Sequence, residues 1–242
     1  VNSLKKIKKN EIVSKLAKKL SKLLMTEAEE IIDEISRETK ERQERRKEKI
    51  ISSLPILFAA QLRTLRAKGV PEEIIKQLSS KKAGVLREAK NLGQLGYRKK
   101  TIIFLPIIPR HCLSLAEQLN LLGISLLTGS ETIADQTFQS EKPYYIFMVD
   151  ISKRTKGEML PGVRKIINQA NKVPLNIEEG LSLTLHSKIL AKNQINLLGS
   201  KILGNEDDHP LIFHDGVSSL STSKDGNRKI FWIFPSRNKE II

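Results

Sequence analysis

Residues 36–49, SRETKERQERRKEK, run for fourteen positions without one apolar side chain. Such a run has nothing to bury, so it can be neither a core strand nor a core helix. It can be a solvated helix. Glu38 with Arg42 and Glu41 with Arg45 stand at the favourable i,i+4 spacing, against one repulsive pair, Glu44 with Glu48. Upstream, Val13, Leu16, Leu20, Leu24, Ala28, Ile31 and Ile35 follow one another at spacings of three or four. That period draws a single apolar stripe along a helix, with lysines filling its other faces. Thr26 and Glu29 have the capping-box spacing, which predicts a fresh helix start at Thr26 with Met25 as the joint. Residues 1–50 are therefore read as a basic, amphipathic and charged helical arm.

Charge is distributed unevenly. Residues 1–100 hold 26 Lys and Arg against 13 Asp and Glu, while the other 142 residues hold 16 against 14. Excess positive charge confined to one segment reads as a surface for an acidic partner, whereas a uniform excess would only aid solubility. The single cysteine, Cys112, rules out an intramolecular disulfide and predicts a reducing compartment. No apolar run reaches the roughly 18–20 residues of a membrane span. Lys15, Lys18, Lys19 and Lys22 interrupt every apolar stretch near the start, where a signal peptide needs an unbroken one. The expected setting is cytoplasmic.

Beyond the arm, residues 51–242 carry enough Ile, Leu, Val and Phe to bury a core. Leu54-Pro55 predicts a break, followed by a helical part over 51–96. Phe58, Leu62 and Leu65 share a helix face ending at Lys68-Gly69, with Gly69 as the C′ residue. Pro71, Glu72 and Glu73 open a short helix that buries Ile74, Ile75 and Leu78, and a further helix runs over 83–92. From residue 97 the texture changes to a sheet-containing part. Strands are predicted over 101–108, 124–128, 144–151, 195–203, 211–214 and 229–234, and helices over 113–122, 160–170 and 177–190. Asp225-Gly226-Asn227 predicts the turn of a terminal hairpin. Early strands alternate with helices and late strands cluster. The expected class is α+β: a mixed β-sheet flanked by helices, preceded by a long basic helical extension.

Lys5, Lys6, Lys8, Lys9, Lys15, Lys18, Lys19 and Lys22 precede every acidic residue except Glu11, and nucleic acid rewards such density through counterion release. Stacking aromatics are missing from the arm, since Phe58 and Tyr97 are the first of their kinds. Binding through it would be electrostatic, sequence-tolerant and salt-sensitive. Residues 73–92 superficially resemble a helix-turn-helix, but Ile75 is bulky where a small residue is needed and Ser79 replaces the turn glycine. An ordinary helical hairpin is the better reading. Asp207, Asp208, His209, His214 and Asp215 crowd together, yet on a strand His209 and His214 point to opposite faces, so no metal site is expected. Cys112 beside His111 reads as a small buried hydrophobe. There is no phosphate loop and no G-x-G-x-x-G, so no cofactor is predicted. Glu178 and Glu179 open a helix, where negative charge complements the dipole.

The order of several short motifs carries a resemblance over roughly residues 57–203: FAAQLRTLRAKGVPEEI, IIFLPIIPRHCLSLAEQLNLL, YYIFMVDI, PLNIEEGLSLTLHSKIL and LLGSKI. Together they resemble an uncharacterised bacterial protein family, a domain of unknown function. Glu178, Glu179, Gly180 and His186 fall where that family's pattern places them, as do Asp150 and Gly199-Ser200. The resemblance implies a compact domain and a shared polar site built from Asp150, Glu178, Glu179, His186 and Ser200. The arm departs from the pattern as an addition, and the C-terminal KIFWIFPSRNKEII keeps Trp232 and little else.

Three functional expectations follow. The first is a non-enzymatic binding protein whose basic arm engages a polyanion, RNA or DNA. The second is an interaction module, with the stripe from Val13 to Ile35 docking on another protein or on a second copy of the chain. The third is an unassigned enzyme with a polar pocket near Asp150, Glu179 and His186.

Overall fold

In the computed structural model the described backbone covers residues 2–94, 100–126, 133–137, 140–151, 155, 158–191, 193–204, 208–215, 217–223 and 232–242. Side chains are described from residue 34 onward in those segments, apart from 94, 215, 217, 222, 223 and 232. In chain order the elements are α1 (Asn2–Ala67), α2 (Glu72–Ser80), α3 (Lys82–Gln94), β1 (Thr101–Ile107), α4 (Leu115–Leu122), β2 (Ser125–Leu126), β3 (Ile133–Asp135), β4 (Tyr144–Asp150) and α5 (Leu160–Gln169). There follow β5 (Val173–Pro174), α6 (Ile177–His186), a 3₁₀ turn (Ile189–Ala191), β6 (Gln194–Asn196), β7 (Ser200–Ile202), β8 (His209–Asp215), β9 (Val217–Ser223), β10 (Trp232–Ile233) and β11 (Ser236–Arg237). The class is α+β. Contacts divide the chain into two units, residues 1–50 and 51–242, and α1 supplies residues to both.

In the first unit the polar run is helical and exposed, with Glu38–Arg42 at 3.1 Å and Glu41–Arg45 at 3.8 Å, as the spacing predicts. Two expected joints are absent. The helix passes Met25-Thr26 without a restart, because the apolar stripe continues in phase from Leu24 to Ala28 and Ile31. In the second unit α1 also passes Pro55, which lacks an amide to give the preceding turn. Burial offsets that loss: Leu54, Phe58, Leu62 and Leu65 are all enclosed, and Phe58 stacks on Tyr145 with ring centroids 5.5 Å apart. Among the described residues no helix is long and apolar enough to cross a membrane.

The strands β1 and β4 pair antiparallel from Thr101–Asp150 to Ile107–Tyr144, and β11 then β5 extend the sheet beyond β4. Both faces are covered, which is why the sequence here is continuously apolar. Phe104 and Tyr145 meet Phe58 of α1, whereas Leu105, Ile107, Tyr144 and Ile146 join the core with Ile177, Leu181 and Leu183 of α6. As the edge strand, β1 tolerates Pro106. Its outward carbonyls are taken by side chains: Gln61 donates to Phe104 at 2.8 Å and Ser182 to Pro106 at 2.6 Å.

A second sheet has the order β10-β6-β8-β9-β2, and β3 pairs with β7 alone. Three expectations about the later elements are corrected here. The run 195–203 is two strands in different sheets, because the chain turns at Leu198-Gly199 between β6 and β7. The strand β10 runs parallel to β6, so among the described residues it does not pair with β9 as the second arm of a hairpin; Ile195 and Ile233 share the core that draws β10 and β6 together. Asp225-Gly226-Asn227 lies outside the described residues. The hairpin in this region is β8–β9, with Asp215 opposite Val217. Likewise α6 ends at His186 rather than 190, with Ser187 extended and its hydroxyl donating to the Leu183 carbonyl at 2.6 Å.

Candidate functional site

Two glycines position the polar cluster. At Gly199 an added Cβ would lie 2.6 Å from the Leu175 carbonyl carbon and 2.7 Å from the Asn176 nitrogen. Only a residue without a side chain lets the β6–β7 turn press against the backbone that leads into α6. The next residue, Ser200, thereby reaches the helix start. Its hydroxyl accepts from the Ile177 amide at 2.8 Å and donates to the Asp135 carboxylate. At Gly180 an added Cβ would meet the Leu197 side chain at 2.5 Å, so the first turn of α6 packs tightly on the same segment.

The start of α6 leaves free amides that need acceptors. Asn176 is the N-cap: its side chain accepts from the Glu179 amide at 2.9 Å, and the Glu179 carboxylate accepts from the Asn176 amide at 3.1 Å. This reciprocal box turns Glu179 inward. The other Glu179 oxygen accepts from Arg237 Nε at 2.6 Å, and both side chains are essentially without exposure, 0% and 1%. Tyr144 donates to the same carboxylate at 3.5 Å. Burial pushes Glu179 up to about 7, against the pull of Arg237 and the Asn176 amide. Burial, with Glu179 beside it, also holds the Tyr144 hydroxyl far above its ordinary value.

Glu178 turns to a different cation. Its carboxylate accepts from the Arg110 amide at 2.8 Å and from Arg110 Nε at 3.0 Å. The same guanidinium reaches Asp135 at 2.7 Å and the Ile133 carbonyl at 2.9 Å. Three carboxylates thus face two guanidinium groups, with the positive end of the α6 dipole supplying further compensation. Burial raises the Glu178 pKa while Arg110 opposes it. Glu178 also lines an apolar cleft formed by Leu65, Pro106, Leu113, Leu121 and Leu181.

His209 closes the cluster from β8. Its Nδ1 lies 2.7 Å from the Ser200 carbonyl and its Nε2 3.2 Å from Arg164 Nη2. A carbonyl only accepts and a guanidinium only donates, so the ring carries its proton on Nδ1. His209 is buried and His214 exposed, the opposite faces that strand geometry requires. Among the described residues no three His, Cys, Asp or Glu side chains are grouped to hold a metal ion.

Of the residues the motif pattern singles out, Glu178, Glu179 and Ser200 meet around one helix start. Asp150 and His186 do not join them. Asp150 ends β4 and lines a separate cavity with Lys172, Thr155, Ser236 and Phe234. There Lys172 Nζ stands 3.7 Å from the Asp150 carboxylate and donates to the Met148 carbonyl at 3.0 Å. His186 ends α6 with Nε2 sealed and without a hydrogen-bond partner, and burial pushes its pKa down to about 4. Cys112 donates to the Glu141 carbonyl and burial raises its pKa, so it has no thiolate character. The side chains of Lys5, Lys6, Lys8, Lys9, Lys15, Lys18, Lys19 and Lys22 lie outside the described residues.

Sequence reasoning missed Arg110, Asp135, Asn176 and Arg237. Asn176 was recoverable, since Asn-x-x-Glu ahead of an apolar stretch is a helix-start signature. The two arginines carry no local signal, because their partners stand 68 and 58 residues away. Chemically, these carboxylates are already committed to guanidinium groups and amides, which suits a buried polar scaffold holding β3, β7, β11 and α6 together. No protein family, no curated protein and no solved structure matches the chain.

Proposed function

We propose that this is a binding protein whose basic helical arm grips a polyanion, RNA or DNA, through charge rather than base readout. One observation carries the reading: the first 26 residues hold eight lysines and a single acid, Glu11, on one continuous helix. Further support comes from residues beyond the arm, on the end of α1, the turn after it, α2 and α3. Arg63, Lys68, Lys76, Lys82, Arg87 and Lys90 are all exposed, and residues 51–100 hold eleven Lys and Arg against three acids. The buried carboxylates of the α6 cluster are occupied by internal partners, so the surface charge is what remains open to a ligand.

The test is binding of the full chain to a labelled single-stranded RNA and DNA of about 30 nucleotides, at salt from about 50 to 200 mM. Each lost phosphate contact lowers the slope of log affinity against log salt by about 0.7 on a single strand. The quadruple variant Lys5→Glu, Lys6→Glu, Lys8→Glu, Lys9→Glu should therefore flatten the slope by nearly 3. Unchanged binding by this variant would remove the arm from the account.

A further inference from the structure

We infer that the stripe from Val13 to Ile35 pairs with the same stripe of a second copy of this chain, antiparallel and centred on Leu24. A helix whose apolar face stays in water gains little, since amphipathic helices draw their stability from covering that face. Here α1 is continuous through the whole stripe, and residues 1–50 form a contact unit of their own. Ile35, the stripe position whose side chain is described, is 60% exposed.

The order of charges along α1 selects the partner and its direction. Lysine dominates up to residue 26. Residues 27–34 then hold Glu27, Glu29, Glu30, Asp33 and Glu34 with no Lys or Arg at all. A parallel pair in register would set lysines level with lysines and acids level with acids. An antiparallel pair about Leu24 sets Lys15 level with Asp33, Lys18 with Glu30 and Lys19 with Glu29. In the same register Val13 lies level with Ile35, Leu20 with Ala28 and Leu24 with itself, while Leu16 and Ile31 fall one residue from each other's level. A two-fold interface requires this kind of self-complementarity, and one helix provides it over about 35 Å of length. Opposed charge blocks fix register and partner choice as well as attraction. The inference goes beyond polyanion binding and does not need it. If both hold, the lysines at positions 5–9 of the two copies stand about 50 Å apart at opposite ends of the pair.

Two measurements on the full chain, without nucleic acid, test this. Sedimentation equilibrium should give a dimer mass that dissociates as salt rises. The variant Lys15→Glu, Lys18→Glu, Lys19→Glu, Lys22→Glu should be monomeric, as should Glu27→Lys, Glu29→Lys, Glu30→Lys, Asp33→Lys. An equimolar mixture of the two should regain the dimer. For direction, Leu20→Cys and Ala28→Cys are each placed in a Cys112→Ser background and mixed under oxidising conditions. The 20–28 heterodisulfide should outnumber both homodisulfides. A monomeric wild type overturns the inference, and a mixture that stays monomeric or a majority of homodisulfides overturns the antiparallel register.

Discussion

Arg237→Met strips the Glu179 carboxylate of its guanidinium while leaving it sealed from water. In the wild type the folded chain holds the Glu179 proton more tightly than the unfolded chain does, with a pKa raised from 4.5 to about 7. For an acid raised in this way, the stabilising contribution is complete below about pH 4.5. It is lost as the pH climbs through about 7, after which the curve levels. Removing Arg237 takes away the interaction that opposes burial, so the carboxyl rises above 7. The variant then goes on losing about 1.4 kcal/mol per pH unit where the wild type no longer does.

The expected signature is a pH-dependent difference rather than a fixed one. By urea denaturation near pH 5 the carboxyl is protonated in both proteins, and the variant loses only hydrogen bonds and packing. Near pH 8.5 the loss should approach the 3–5 kcal/mol typical of a buried pair stripped of one partner. The double variant Glu179→Gln, Arg237→Met has no buried charge to strand and should recover most of that loss at the higher pH. A destabilisation of equal size at both pH values would refute the reasoning, because it would mean that Arg237 acts by packing and not by holding the carboxylate.

Three further outcomes are expected elsewhere in the fold. Gly199→Ala forces a methyl group to within 2.7 Å of backbone atoms that cannot swing aside, so thermal denaturation should show more than the ~1–3 kcal/mol of ordinary overpacking; at Gly123, where φ is +66° and nothing lies within 4 Å, alanine should cost only the left-handed backbone strain of about 1–2 kcal/mol. His186 is held neutral, its pKa lowered from 6.5 to about 4, so its contribution is present above pH 6.5 and lost as the pH falls through 4. His186→Leu should therefore flatten the acid limb of the stability curve by at most about 3 kcal/mol, and an acid limb identical to the wild type's would show that the ring titrates freely.

Local patterns in this sequence report local structure well, and fail where a distant element decides. The i,i+4 pairs of residues 36–49, the αL glycine at Gly69 and the apolar runs that become β1 and β4 are all legible, because neighbours in sequence supply their physics. Pro55 misleads for the complementary reason. A lone proline argues for a break, and only the ring of Tyr145, ninety residues on, shows what Phe58 gains by keeping the helix intact. The same logic separates Glu178 and Glu179. As sequence they are an interchangeable acidic pair at a helix start, with the dipole as sufficient explanation. In the fold they diverge, one to Arg110 and Asp135, the other to Arg237. Neither arginine could be paired from spacing.

That divergence explains why five residues gathered from short motifs do not make one site. Ser200 is fixed by Gly199 against the Leu175–Asn176 backbone, so the Gly-Ser step and the Asn-Ile-Glu-Glu-Gly step are two halves of one contact. Each glycine in those motifs has a steric reason, and each polar residue has an internal partner within hydrogen-bond reach. Asp150 and His186 sit elsewhere because nothing in that contact calls for them: one serves the Lys172 cavity, the other the far end of α6. A motif set that maps onto one tight backbone crossing is explained by folding before any chemistry is asked of it. Exposed positive charge stands apart from that crossing, on Arg63 of α1, Lys76 of α2 and Lys82, Arg87 and Lys90 of α3.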